Sequence, residues 1–74
     1  MELELTPAYF VRLRQAAGLA QCKAAHACGV SPAWVWMLES GRWRTSPTAQ
    51  RNRENYRRKL LEYAASKGIV VVGA

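Results

Sequence analysis

The sequence predicts an all-α domain of four to five helices, and three observations predict it. A threonine or serine stands directly before a proline at Thr6-Pro7, Ser31-Pro32 and Ser46-Pro47. An oxygen-bearing cap followed by proline in the first turn is a helix start. Glycines at positions 18, 29, 41 and 68 follow the helical stretches, and glycine closes helices more readily than any other residue. Between these marks apolar residues recur at helical spacing, as in Phe10, Leu13 and Ala17.

Helix 1 is expected from about Pro7 to Ala17, capped by Thr6, with Leu5 and Phe10 spaced as a hydrophobic staple. Helix 2 is short, about Gln21 to Cys28, and its alanines (Ala24, Ala25, Ala27) let neighbours approach closely. Helix 3 runs from about Pro32 to Ser40. Helix 4 runs from about Pro47 to Lys67, with an apolar stripe of Ala49, Tyr56, Leu60, Tyr63 and Ala64. Its polar first half is expected to fray or split near Asn52 to Asn55. The β-branched run Ile69-Val70-Val71-Val72 favours an extended chain. It reads either as a short C-terminal β-strand pairing with its twofold mate or as a segment packed back on helices 1 and 4. Leu3 and Leu5 alternate with Glu2 and Glu4, a second candidate strand.

The chain has 74 residues, half of them hydrophobic and 22% charged. That is a single folded domain spanning residues 1–74, with no room for a second core. Helical domains of this size commonly lean on a staple or a partner, and no staple is evident, so a homodimer is expected. Cys22 and Cys28 lie on one helix with alpha carbons roughly 9 Å apart, beyond the limit of about 7 Å for a disulfide. They read as free thiols of a reducing compartment. No apolar run reaches the roughly 18 residues of a membrane helix, and Met1 to Leu5 lacks signal-peptide character. The cytoplasm is the expected location, with no membrane partner.

Catalysis is not expected. The chain holds one histidine and five acidic residues, with no paired carboxylates, no nucleophile beside a base and no glycine-rich phosphate loop. Cys22, His26 and Cys28 supply three ligands at most, at a spacing that matches no zinc pattern. Cys28 reads instead as a buried apolar residue. No cofactor, metal or small-molecule ligand is expected.

The net charge of +6 points elsewhere. Arg42, Arg44, Arg51, Arg53, Arg57, Arg58 and Lys59 face Glu54 alone across one stretch. Such a surface attracts polyanions, nucleic acid first. The bland alternative is a solvated helix face, so the binding argument rests on a motif. In the stretch from Gln21 to Leu38, Ala25 is small where helix 3 must cross helix 2. Gly29 supplies the turn conformation, Val30 plugs the turn, and Val35 and Leu38 face inward. These are the steric demands of a helix-turn-helix.

This stretch resembles the Cro and phage-repressor family, also called the xenobiotic-response-element family. The resemblance runs from about Phe10 to Pro47 and includes Leu13-Arg14, Gly18-Leu19-Ala20-Gln21, Glu39-Ser40-Gly41-Arg42 and Ser46-Pro47. It implies a lambda-repressor-like fold in which helix 3 enters the major groove of double-stranded DNA. It also implies an Arg14–Glu39 ion pair locking helix 3 against helix 1. With Val35 and Leu38 inward, Ala33, Trp36, Met37 and Ser40 face outward, flanked by Ser31 and Gln21. Gln21 would bond adenine or a phosphate, and the amides at the starts of helices 2 and 3 would meet phosphates.

The outward face departs from the family pattern because Ala33, Trp36 and Met37 are apolar. Such a face touches thymine methyl groups and cannot pair with guanine. Arg42 and Arg44 would then grip the backbone or a narrow minor groove. The rival reading makes Trp34, Trp36 and Met37 a protein-binding patch. The expected function is transcriptional regulation, as a repressor on a pseudo-palindromic operator in a bacterial or phage-infected cell, with recognition helices about 34 Å apart. Two alternatives come from other classes: an antitoxin-like or antirepressor-like module that grips a partner protein, and an accessory protein that bends DNA.

Overall fold

The computed structural model describes residues 5–43 and 46–71. Four helices follow in order: α1 (Pro7–Ala16), α2 (Gln21–Cys28), α3 (Pro32–Glu39) and α4 (Pro47–Ser66). The three cap-and-proline starts work as expected. Thr6 Oγ1 accepts the Tyr9 amide at 3.1 Å, Ser31 Oγ accepts Trp34 at 3.1 Å, and Ser46 Oγ accepts Ala49 at 3.2 Å. Helices α1, α3 and α4 each stop one residue short of the expected end, with Ala17, Ser40 and Lys67 as caps.

Helix α4 runs unbroken through Asn52 to Asn55, against the expected split. Packing overrides the weak local preference there. Tyr56 is 1% exposed and Leu60 is fully buried, so the helix is held from its middle. Its stripe is narrower than expected, since Ala49 and Tyr63 are only half-buried. Among the described residues there is no strand: Ile69 to Val71 continue as irregular chain, while Val72 lies outside them, as do Glu2 to Glu4. Ile69 and Val71 pack against the core and Val70 is exposed. That supports the packed-back arrangement within one chain.

The first three helices and α4 enclose one core. Helix α2 packs on α3 and α4, and α1 packs on the same two. Phe10, Val35, Cys28, Tyr56 and Leu60 are fully buried at its centre. An aromatic chain threads it. Trp43 meets Phe10 at 5.9 Å between ring centroids, Phe10 meets Tyr56 at 5.9 Å, and Tyr56 meets Trp34 at 5.2 Å. Such ring contacts each add to area burial. They join α1, α3, α4 and the segment after α3 into one unit. Trp34 is half-buried, with its ring against Tyr56, while Trp36 and Met37 of the same helix are exposed.

Candidate nucleic-acid interface

The turn between α2 and α3 sets the interface. Gly29 takes φ +68°, the left-handed region, which costs a residue with a side chain roughly 1–2 kcal/mol. Its amide donates to His26 O at 3.3 Å, and the Val30 amide reaches Ala25 O at 2.9 Å. That pair of bonds closes α2 and turns the chain sharply. Val30 packs against the core, and Ala24 and Ala25 are fully buried where α2 meets its neighbours. Val35 and Leu38 face inward from α3, at 0% and 3% exposure.

Helix α3 is locked at its far end by a charge network. Arg14 Nε donates to Glu39 Oε2 at 2.7 Å and Arg14 Nη2 to Glu39 Oε1 at 2.9 Å. Arg14 Nη1 donates to Leu19 O at 2.8 Å. Gln21 Nε2 adds a third bond to Glu39, on Oε1 at 3.2 Å. The hydrogen bond to Glu39 is the main reason that the Arg14 guanidinium holds its proton more tightly than usual, against the opposing effect of burial. The network fixes α1, the start of α2 and the end of α3 together.

The opposite side of α3 is open. Trp36 is 49% and Met37 41% exposed, and Ala33 and Ser40 are exposed beside them. The Arg42 guanidinium carbon lies 5.2 Å from the Trp36 ring centroid, a cation–π contact that steadies both side chains. Ser31 is exposed at the helix start, its Oγ already accepting from Trp34, so its hydroxyl proton remains to donate. Ser40 donates its own proton to Met37 O at 3.1 Å. Gln21 is half-buried and tied by its amide nitrogen to Glu39, which restricts the carboxamide that the sequence assigns to adenine or phosphate. Arg44 lies outside the described residues.

The basic stretch is only partly a free surface. Arg57 Nε donates to Tyr9 Oη at 2.8 Å, and Lys59 Nζ donates to Cys28 O at 3.2 Å. Arg53 lies over Trp43, 4.3 Å from the ring centroid. Trp43 in turn donates from Nε1 to Leu38 O at 2.7 Å, closing the end of α3. The Arg57–Tyr9 and Lys59–Cys28 contacts span 48 and 31 residues, and no local spacing announces them. A groove between α3 and the start of α4 brings Met37, Arg42, Trp43 and Arg53 together, so cationic side chains border the apolar face.

The cysteines are free, Cys22 exposed and Cys28 buried. Burial pushes the Cys28 thiol up, with Lys59 opposing. The described residues contain no group of side chains suited to a metal ion and no helix long and apolar enough to cross a membrane.

No curated protein and no solved structure matches the chain significantly. The family model described as a helix-turn-helix domain matches residues 8–52, more than half of the chain. That match covers α1, the two crossed helices, the Gly29 turn and the start of α4, the same elements that carry the candidate interface. The chain belongs to the helix-turn-helix domain family.

Proposed function

We propose that this protein binds double-stranded DNA in a sequence-dependent way and regulates transcription. The observation that carries this is the placement of Ala33, Trp36, Met37 and Ser40 on the exposed side of α3, with Arg42 at their edge. One helix fits the major groove, where each base pair shows a distinct pattern. Ser31 and the uncapped first turn of α2 face phosphate oxygens in this docking. Arg44 is assigned with Arg42 to the backbone or a narrow minor groove. A net charge of +6 supplies the non-specific attraction.

The finer reading is a Cro-like homodimer that represses from a pseudo-palindromic operator in the cytoplasm of a bacterial or phage-infected cell. The small size of the domain supports it, since helical domains of this size commonly lean on a partner. Selection from a random DNA pool, followed by titration at several salt concentrations, tests the reading. The expected result is enrichment of one sequence, in two half-sites one helical turn apart. Absence of enrichment, with tight capture of a partner protein, supports the antitoxin-like alternative. Strong bending with little sequence preference supports the accessory-protein alternative.

A further inference from the structure

Helix α3 carries no side chain that can read a base by paired hydrogen bonds. Between Pro32 and Glu39 the only ionisable or amide side chain is Glu39, and its carboxylate holds Arg14 and Gln21. The proton of Ser40 is committed to Met37 O. The Arg42 guanidinium lies against Trp36. What the helix presents to a groove is therefore a methyl-sized side chain, an indole and a thioether: Ala33, Trp36 and Met37. The cationic border at Arg42 and the charge of +6 complement a polyanion, which identifies the occupant as nucleic acid.

The apolar group displayed in the major groove is the C5-methyl of thymine. Cytosine presents the same methyl at the same ring position once it is C5-methylated. We infer that Ala33, Trp36 and Met37 recognise the C5-methyl group itself, so that binding to DNA responds to cytosine methylation at the contacted positions. This rests on the docking proposed above. An indole and a thioether make van der Waals contact with a methyl whichever pyrimidine carries it. The single donor among them, the Trp36 indole N–H, can meet the O4 of thymine and not the N4 amino group of cytosine. The comparisons that isolate the methyl are therefore those within one base: thymine against deoxyuridine and cytosine against 5-methylcytosine.

The experiment uses the full chain and the site selected from a random pool. Each contacted thymine is replaced by deoxyuridine, which removes only the methyl. The corresponding cytosine and 5-methylcytosine sites form a second pair. Affinity is expected to fall about fourfold per methyl removed, the value of one buried carbon, and to rise by a similar factor from cytosine to 5-methylcytosine. Trp36→Ala and Met37→Ala are expected to shrink both differences while melting like the parent, since both side chains are exposed. Equal affinity for thymine and deoxyuridine sites overturns the inference and leaves the DNA-binding reading intact. Failure to bind even the selected thymine site overturns that reading instead.

Discussion

Arg14 grips Glu39 side-on, with Nε on one carboxylate oxygen at 2.7 Å and Nη2 on the other at 2.9 Å, and the two side chains are 13% and 6% exposed. Glu39 sits in the last turn of α3, where a carboxylate opposes the helix dipole. The guanidinium and the Gln21 amide offset that. Removing one partner of a largely buried pair leaves the other uncompensated, at a cost of about 3 kcal/mol. Glu39→Ala is expected to lose that much in urea unfolding. Glu39→Gln loses less, because its amide oxygen still accepts. A Glu39→Gln variant that melts like the parent contradicts this account of the pair.

Tyr56 makes the opposite prediction. Its hydroxyl is buried with no hydrogen-bond partner. Tyr56→Phe deletes a desolvated polar atom while keeping the ring contacts to Phe10 and Trp34, so stability at neutral pH is expected to rise, by about 1 kcal/mol. Burial, with lesser contributions from Cys28 and Glu39, raises the phenol's pKa above its ordinary value. A raised folded-state pKa means stability that is fully present below the unfolded value of about 10 and lost as pH rises through the folded value. Alkaline unfolding is therefore expected to be shallower in Tyr56→Phe. An identical alkaline profile in the two proteins refutes this role.

The Gly29 turn separates conformational strain from crowding. A Cβ at this position meets nothing within 4 Å, yet φ is +68°. Gly29→Ala is expected to cost about 1 kcal/mol by conformation alone, and Gly29→Asn less, because asparagine tolerates this region better. Gly29→Val is expected to be worst. The order, measured by thermal melting, is the check; a Gly29→Ala penalty near zero places the turn elsewhere.

Two arginines of the basic stretch are expected to behave differently. Arg42 is exposed beside the proposed reading face, so Arg42→Ala is expected to lower DNA affinity and to reduce the salt-dependence slope by about 1. Arg57 is bonded to Tyr9, so Arg57→Ala lowers the melting temperature with little change in slope. Titrations at several salt concentrations distinguish them, and equal slope changes contradict the division.

The assembly has its own test. Ile69 and Val71 pack on the core of their own chain, so deleting residues from Ile69 onward is expected to lower the melting temperature without changing the mass in solution. A dimer that survives leaves the interface to α4; a dimer lost on deletion assigns the interface to this segment instead.

The starts of α1, α3 and α4 were legible in the sequence because each has a local cause, a serine or threonine oxygen directly before a proline, whereas α2 starts after Ala20 with no side-chain cap. The inward Val35 and Leu38 and the outward Trp36 and Met37 follow from helical spacing alone. The continuity of α4 was not legible, because local polarity near Asn52 to Asn55 is outweighed by the distant burial of Tyr56 and Leu60. The engagement of Gln21 by Glu39, of Arg57 by Tyr9 and of Trp43 by Leu38 was likewise hidden. The Gln21 and Arg57 pairs meet across separations that no periodicity encodes. The half-buried position of Trp34, against Tyr56, distinguishes it from Trp36 two residues on.

The exposed side of α3 is the centre of the account, and Trp36 is its largest exposed group. The most direct measurement is the affinity and sequence preference of Trp36→Ala on the selected DNA site, with thermal melting alongside. A parent-like melt, weaker binding and a relaxed preference at the contacted base pairs are expected. Unchanged affinity and unchanged preference in a folded Trp36→Ala protein would contradict the proposed role of this face.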